Sequence, residues 1–515
     1  MLKSVEDTAV ISADQHTTGY SGHSPRRLEF VTVTVFTIWF FATALHAARS
    51  LPLWYDEFFT LALARMNPVE IWHTLQQGLE PNPPIGYLLS SMAYHCLGGR
   101  DWAIRVPGIL SLWTAAFLTY RIVRSYSHAI VAVSVFFLTP VLFGAISLVD
   151  ARPYPVLLLC SVLAVRFWIA CEKGGIVARL GFAASLSAAL WTHFASTALI
   201  ACLAVAEMTW WWRARRVRHG VWAALVLSAC TLLPLIPQIH AFLAMFRGWY
   251  AGAPAFAAAP SLRIVAAVYV ELYLLVLPLT AICALLRPRG LKLGQPYGHI
   301  LPVGMLAAIP IIEYWIATLS SGAFLSRYCI TAIPGILILC SLVAGHVYIS
   351  PNWFVRLLAA LTLPLYCALI SLMLFRLPQS QVINDYRLKD IEVAGNQNLP
   401  MVVADAGIFP AVAYYASPEL KARLLYLRDT REAKRLPAPI PELSIQVLKQ
   451  WYKLPTEEFD SFIASKRSFL MLTREDKGKE WLPGRLQQMK GVTLRTMGKQ
   501  GSVSVVRCSF DRGSG

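Results

Sequence analysis

"FVTVTVFTIWFFATALHAARSLPLWYDEFF", residues 30–59, joins a continuous apolar segment to two adjacent carboxylates, Asp56 and Glu57. The apolar part has about 20 residues, enough to cross a hydrocarbon core of about 30 Å. Arg26 and Arg27 precede it, so the positive-inside rule predicts that this end is cytoplasmic. We therefore expect a first transmembrane helix from about Glu29 to Ala48, with both carboxylates just beyond its outer end.

The composition excludes a chain of ordinary soluble domains. Of 515 residues, 56 % are hydrophobic and 15 % are charged, and the mean hydropathy is +0.53. Soluble domains could not hide so many apolar residues from water. The net charge of +17 does not predict a nucleic-acid partner, because the Lys and Arg residues form short clusters between apolar segments. The ten cysteines lack metal-type spacing and are interpreted as buried apolar residues.

Apolar segments that alternate with basic clusters predict a polytopic α-helical membrane protein with about 11 transmembrane helices. The segment at 82–99 begins with a double proline and is apolar but only about 16 residues long, so we expect a helix at the outer face. Two short spans are expected to meet at "WTHF" (191–194). The other predicted spans are 29–48, 103–123, 127–149, 153–171, 220–240, 264–286, 299–318, 329–349 and 355–376.

The apolar segments stop near Arg376, which divides the chain into three parts. We expect a cytoplasmic polar tail at 1–28, a transmembrane domain at 29–376 with a large first outer loop at 50–102, and a soluble domain outside at 377–515. The last part has the alternating patterns of a C-terminal soluble α/β domain. Its predicted strands are 401–405, 423–429, 468–473 and a hairpin at 492–508. Helical patterns alternate with them, notably at 408–422 and 478–490.

This topology brings acids and arginines to one outer surface. Asp56 and Asp150 lie at span ends among apolar or aromatic residues, where an ionisable group is costly and tends to be functional. Glu80 is expected to be a solvated loop carboxylate, and Arg263 a helix-end residue. The remaining residues predicted on this surface are Glu57, Arg105, Arg152, His193, Arg327 and Tyr328, of which His193 is expected to be a packing residue more than a base.

Acids and arginines at a lipid boundary suit one kind of group transfer. Nucleotide sugars and ATP are not supplied outside a cytoplasmic membrane, so the donor must arrive through the bilayer, typically as a polyprenyl-phosphate sugar. Its phosphate leaves as a stabilised anion, which needs cations more than a proton donor. One carboxylate can then act as the base while arginines hold the phosphate.

The ordered motifs resemble those of GT-C class membrane glycosyltransferases, in the group related to protein O-mannosyltransferases and the aminoarabinose transferases of lipid A. The resemblance extends over residues 29–345. It rests on "WYDEFFT" (54–60), "NPPIGYLL" (82–89), "AIRVPGIL" (103–110), "VDARPYPVLLL" (149–159), "WTHFAS" (191–196) and "SRYCITAIPGIL" (326–337).

The resemblance implies roles for individual residues. Asp56 resembles the catalytic carboxylate, Glu57 its usual neighbour, and Asp150 the second acid. The two aspartates are then candidates to share a divalent cation, Mg²⁺ or Mn²⁺, although a base that accepts a proton is better left without metal. The resemblance makes Arg105, Arg152 and Arg327 candidates for the lipid phosphate and implies that Tyr87 and His193 line the cavity. Tyr328 is a further candidate for substrate binding.

One position departs from the family pattern. Many relatives have His or Lys before the double proline, where a cation reaches the phosphate, and this chain has Asn82. The amide of Asn82 can still donate a hydrogen bond to a phosphate oxygen, and an arginine elsewhere can supply the charge.

We therefore expect an inverting glycosyltransferase that moves one sugar from a polyprenyl-phosphate donor to an unknown envelope acceptor at the outer face of a bacterial inner membrane. Two alternatives stay open. The first is an oligosaccharide ligase or polymerase that uses diphosphate-linked glycans. The second is a transporter or flippase of lipid-linked intermediates, for which Glu207 and Glu313 lie within or near spans, although no broken-helix pairs or inverted halves are visible.

Overall fold

Helices form most of the described residues up to Ser380. The computed structural model describes residues 23–147, 149–250, 260–286, 303–320, 324–346, 352–380, 399–436, 440–474, 479–500 and 503–510. Most of the predicted cytoplasmic tail, residues 1–22, lies outside this described part. The helices here are α1 His23–Ser50, α2 Tyr55–Ala64, α3 Pro68–Gln76, α4 Ile85–Cys96, α5 Val106–Arg124, α6 Ala129–Ser147, α7 Tyr154–Ala170, α8 Ile176–Leu190, α9 Ser196–Ala214, α10 His219–Cys230, α11 Ile236–Tyr250, α12 Leu262–Leu285, α13 Ile309–Ser320, α14 Ile333–His346 and α15 Trp353–Ser380.

Short 3₁₀ segments precede or follow several of these helices. They are Asp101–Arg105, Cys171–Lys173, Leu233–Leu235, Gly304–Ala308 and Ser326–Ala332. Six helical segments are long and apolar enough to cross a membrane, and four more apolar helices of the described residues are shorter. The predicted multi-pass helical architecture is confirmed, while the number of eleven crossings stays a prediction.

The helix α4 occupies the segment that begins with the double proline. It has 12 residues, so its length is about 18 Å at 1.5 Å per residue, well short of a hydrocarbon core of about 30 Å. This agrees with the expectation that the segment does not cross. Its first amide, at Ile85, donates to the carbonyl of Trp191 at 3.0 Å, which ties α4 to the connection between α8 and α9.

A large apolar core joins the membrane helices. It includes Phe40 on α1, Leu112 on α5, Leu157 on α7 and Leu186 on α8, all fully buried. At Gly108 the first turn of α5 lies so close to the connection before α7 that a Cβ would be 3.2 Å from the carbonyl oxygen of Asp150. Glycine therefore allows the close approach that positions the Asp150 loop.

The C-terminal domain contains one six-stranded sheet in the order β3-β2-β1-β4-β6-β5. The pairs β3/β2, β2/β1 and β1/β4 are parallel, and β4/β6 and β6/β5 are antiparallel. The strands are β1 Met401–Val403, β2 Leu424–Arg428, β3 Thr456–Glu458, β4 Ser468–Thr473, β5 Val492–Gln500 and β6 Val503–Phe510, and the helices are α16 Phe409–Tyr415, α17 Pro418–Lys421, α18 Thr430–Arg435, α19 Ile440–Leu448, α20 Phe459–Ser465 and α21 Leu482–Gln488.

The predicted α/β character of this domain is confirmed, with two corrections. The strand β3 was not predicted, because its three residues are too short for a recognisable alternation. The predicted helix at 408–422 is two helices, because Ser417 caps a new helix whose first residue is Pro418.

The C-terminal domain packs directly on α2. The ring of Phe58 contacts the rings of Tyr414 and Tyr452 edge to face, with centroids 5.5 Å and 5.7 Å apart. The Tyr452 hydroxyl donates to the Phe58 carbonyl at 2.8 Å, and the Leu53 amide donates to the Tyr415 hydroxyl at 3.1 Å. The helix that carries Asp56 and Glu57 is therefore held between the membrane domain and the sheet domain.

Candidate functional site

The predicted site residues lie in connections between helices or in their first turns. Asp56 and Glu57 belong to the first turn of α2, and Asp150 and Arg152 lie between α6 and α7. His193 lies between α8 and α9, and Arg327 and Tyr328 belong to the 3₁₀ segment before α14. Residues far apart in sequence are in contact here, as the ion pair between Asp56 and Arg327 shows.

Glu57 and Arg105 form a fully enclosed ion pair. Arg105 Nε donates to Glu57 Oε1 at 2.7 Å, and Arg105 Nη2 donates to Glu57 Oε2 at 2.5 Å. The other guanidinium N–H groups donate to the carbonyls of Ala48, Leu51 and Pro52 at 2.8 to 2.9 Å. All five N–H groups of Arg105 are therefore bound within the protein.

The phosphate-binding role expected of Arg105 stays a prediction. Its guanidinium is 2 % exposed and has no free donor. Glu57 also accepts from the amides of Trp54 at 3.1 Å and Ala151 at 3.0 Å, so it caps α2 and fixes the loop that carries Asp150. The pair connects α2, the 3₁₀ segment before α5 and the loop that carries Asp150.

Asp56 has a different environment from its neighbour Glu57. Its side chain is 20 % exposed, and its Oδ2 lies 3.5 Å from Arg327 Nη1 and 3.9 Å from Arg152 Nε. Charge-assisted hydrogen bonds between such groups are usually about 2.8 Å long, so both contacts are loose. The carboxylate is thus accessible and lies between two guanidinium groups.

Glu80 is buried, which corrects the expectation that it is a solvated loop residue. It is 3 % exposed, and its Oε1 accepts from Arg152 Nη2 at 2.9 Å. The same oxygen accepts from Asn82 Nδ2 at 2.9 Å and from the Tyr87 hydroxyl at 2.6 Å. Burial and the Glu80 carboxylate raise the pKa of Tyr87 well above its usual value, so the phenol stays protonated and donates. Asn82 and Tyr87 therefore hold Glu80, which in turn holds Arg152.

Two arginine nitrogens at the site are buried without a hydrogen-bond partner. They are Arg152 Nε and Arg327 Nε, on the two guanidinium groups that flank Asp56. A buried N–H group without a partner costs about 1 to 3 kcal/mol. Such donors indicate that an anionic or polar ligand completes this part of the site.

Asp150 is a buried carboxyl group beside the Glu57 pair. It is 5 % exposed, and its Oδ1 accepts from Trp54 Nε1 at 3.0 Å. Burial and the nearby Glu57 carboxylate raise the pKa of Asp150 to about 7, with Arg152 and Trp54 opposing them. The carboxyl group of Asp150 therefore titrates near neutral pH.

His193 is buried and packs between two aromatic rings. Its Nδ1 accepts from the amide of Ala195 at 3.0 Å, which places the proton on Nε2. The imidazole lies between the rings of Tyr154 and Tyr328, with centroids 5.2 Å and 5.1 Å away. Burial and the charges of Arg152 and Arg327 lower the pKa of His193 to about 3.

The sequence analysis missed three residues of this site. Trp54 binds Asp150, and its position beside "YDEFF" was the one available signal. Gln238 donates to the carbonyls of Glu80 and Asn82 at 3.3 Å and 2.9 Å, and the ring of Tyr154 lies 5.6 Å from Arg327 Cζ. Arg263, by contrast, is exposed at the start of α12 and occupies the helix end where it was expected.

The acids of this site do not fit a shared divalent cation. In the part of the chain that the structure describes, no group of three or more His, Cys, Asp and Glu side chains is placed to hold a metal. Two guanidinium groups lie beside Asp56, and Asp150 binds an indole N–H. A cation prefers several unpaired oxygen ligands.

The fold matches solved structures of membrane glycosyltransferases. One is ArnT from Cupriavidus metallidurans in the apo state, whose sequence is 12 % identical to this chain. The structural match has a TM-score of 0.55 and covers 94 % of this chain and 98 % of the ArnT chain. Another structure of that protein, bound to undecaprenyl phosphate, gives 13 % identity and a TM-score of 0.54, with the same two coverages. Archaeal oligosaccharyltransferase AglB from Archaeoglobus fulgidus, in complex with an inhibitory peptide and a dolichol-phosphate, gives 10 % identity and a TM-score of 0.43, with coverages of 87 % and 69 %.

No protein-family model and no curated protein matches the sequence. At 12 % and 13 % identity, the similarity to ArnT establishes the fold. The predicted resemblance to GT-C class membrane glycosyltransferases is confirmed at that level.

Proposed function

We propose that this protein is a membrane glycosyltransferase that moves one sugar from a polyprenyl-phosphate donor to an acceptor of the cell envelope. The observation that carries the proposal is the accessible Asp56 carboxylate between two arginines that keep unpaired buried N–H groups. The ArnT fold supports it, because a structure of that protein contains undecaprenyl phosphate.

The proposed reaction is a single displacement with inversion at the anomeric carbon. The acceptor's nucleophilic atom attacks this carbon and passes its proton to Asp56, while the bond between the carbon and the phosphate oxygen breaks. The lipid phosphate leaves as an anion and is stabilised by Arg152 and Arg327. Both arginines hold Asp56 loosely, at 3.9 Å and 3.5 Å, so donors remain for the phosphate.

The remaining predicted residues have supporting roles in this proposal. Glu57 and Arg105 position α2, so that Asp56 faces the arginines. Asn82 and Tyr87 position Arg152 through Glu80. Tyr328 and the neutral His193 form an uncharged wall beside Arg327. Asp150, the second acid, accepts a hydrogen bond from Trp54, directly before α2, and helps to shape the site.

The transporter alternative depended on two acids in or near spans. Glu207 is fully buried, pairs with Arg218 and accepts from Trp168 Nε1 at 3.0 Å, so its charge is compensated within the protein. Glu313 is buried on α13, and its Oε1 has no hydrogen-bond partner. One such acid does not form a polar path across a bilayer. These contacts favour the transferase.

We propose a bacterial inner membrane as the location, with the site and the C-terminal domain on the periplasmic side. This follows from the positive-inside rule applied to Arg26 and Arg27 and to the basic cluster at 213–218.

The first prediction concerns the base. The purified protein in nanodiscs would be supplied with labelled polyprenyl-phosphate sugars and a bacterial envelope fraction, with sugar transfer as the readout. We expect Asp56→Asn to lower the transfer rate about 100-fold to 10,000-fold, because a general base contributes that much.

The matched control is Asp460→Asn on the C-terminal domain, where the side chain is 81 % exposed. It should transfer at the wild-type rate. Transfer by Asp56→Asn at near the wild-type rate would show that the base is assigned wrongly. Parallel assays with diphosphate-linked donors separate this enzyme from a ligase or polymerase.

A further inference from the structure

A cavity lies on the C-terminal domain, lined by residues other than those around Asp56. Its volume is about 610 Å³, and its lining includes Lys421, Lys449, Lys453, Trp451 and Tyr452. Lys421 ends α17, and the other four residues follow α19 directly. The volume is in the range of small-molecule sites, about 300 to 1,000 Å³. We refer to these five residues as the lysine cleft.

Three lysines give the lysine cleft its positive charge. Lys421 Nζ donates to the Tyr414 carbonyl and Lys449 Nζ to the Thr456 hydroxyl, both at 2.8 Å. Each of these two acceptors is neutral, and an ammonium group has three donors, so two N–H groups of each lysine remain for a ligand. Among the described residues that line the cavity, none is acidic. The cleft therefore favours an anion.

Two aromatic side chains in the cleft have fixed orientations. Trp451 is half-buried, and its ring packs edge to face on Phe59 of α2 with centroids 6.1 Å apart. Tyr452 is held by its hydrogen bond to the Phe58 carbonyl. A large, rigid aromatic surface offers apolar contact to a planar or ring-shaped ligand at little entropic cost. The apolar face of a sugar ring matches such a surface.

We propose that the lysine cleft binds an acidic saccharide, a sugar that carries phosphate, sulfate or carboxylate groups. The lysines bind the anionic groups and the aromatic rings contact the sugar face. A simple polyanion would bind only the lysines, and a neutral sugar would contact only the aromatic rings. This site is separate from the proposed transfer site, and its binding does not depend on the transfer reaction.

The test measures direct binding to the full-length protein in phosphatidylcholine nanodiscs at physiological salt. The probes are a sulfated dextran oligosaccharide, neutral dextran of the same length, and polyphosphate of the same charge. We expect the sulfated dextran to bind at least tenfold more tightly than either comparison probe. We expect the triple variant K421Q/K449Q/K453Q to lose at least tenfold in affinity for it.

The matched control is K466Q/K490Q/K499Q, which removes the same charge from exposed positions of the same domain. It should change the affinity less than threefold, and thermal unfolding should show that both triple variants are folded. Equal losses of affinity in the two triple variants would overturn the proposed site, because the attraction would then come from the net charge of the domain. Polyphosphate binding as tight as that of sulfated dextran would overturn the assignment to a saccharide, and equal binding to phosphatidylglycerol vesicles would point to a membrane surface instead.

Discussion

Adjacent carboxylates at residues 56 and 57 have opposite roles because one is enclosed and the other is accessible. Glu57 is 0 % exposed and bound by Arg105 and two backbone amides, whereas the side chain of Asp56 is 20 % exposed. The sequence motif predicted both acids at the site. It could not separate their roles, because the separation comes from Arg105, 48 positions away.

The buried pair gives a prediction about stability. Arg105→Met leaves the Glu57 carboxylate buried without its cation, which typically costs about 3 to 5 kcal/mol. We expect a clearly lower Tm for Arg105→Met, measured by thermal unfolding of the purified protein, and an unchanged KM for the lipid donor in the folded fraction. Arg100→Met, at an exposed arginine before the same 3₁₀ segment, is the control and should keep the wild-type Tm. A raised KM at an unchanged Tm would restore Arg105 as a phosphate ligand.

Asp150 gives a prediction about pH. Its pKa is raised to about 7 in the folded protein, mainly by burial, against an ordinary value of 3.8. The protonated form is therefore favoured by folding, so its contribution to stability is complete below about pH 4 and is lost as the pH rises through about 7. We expect the Tm of Asp150→Asn, relative to wild type, to rise between pH 4 and pH 7 and then level off. A Tm difference that stays flat over that window would mean that Asp150 is ionised throughout.

At the scale of elements, the helices were predictable and the polar network was not. The length of the apolar segments predicted α5, α7 and α12, because few structures other than a membrane-spanning helix suit a segment of about 20 apolar residues. The Glu80 network was invisible, since it needs Arg152, 72 positions away, and Gln238 on α11, 158 positions away. Polar contacts between distant residues depend on helix packing, which no spacing rule supplies.

The position of α2 between two domains gives a prediction about coupling. Phe58 is 1 % exposed and contacts Tyr414 and Tyr452, so Phe58→Ala removes apolar contacts between α2 and the sheet domain. A buried Phe→Ala change costs about 3 to 5 kcal/mol. We expect faster proteolysis of the C-terminal domain and a lower transfer rate. Phe354→Ala, at an exposed phenylalanine of α15, should change neither, and wild-type proteolysis of Phe58→Ala would show that the two domains are held by other contacts.

For the whole molecule, the proposed topology places the site and the C-terminal domain on one side of the membrane. Single cysteines in a cysteine-free background would test this in intact cells with an impermeant maleimide. We expect Lys453→Cys to react directly and Arg216→Cys, in the basic segment after α9, to react only after permeabilisation, because both positions are exposed but on opposite sides. Labelling of both positions in intact cells would contradict the proposed topology.

The proposed role of the arginines beside Asp56 is tested most directly by native mass spectrometry, which measures how tightly the purified protein binds undecaprenyl phosphate. Arg327 flanks Asp56 and keeps an unpaired buried Nε, and its removal leaves the Glu80 network in place. We predict that wild type and Arg263→Gln bind the lipid equally, and that Arg327→Gln binds it at least tenfold more weakly. Equal binding by all three proteins would contradict the claim that the arginines beside Asp56 hold the lipid phosphate.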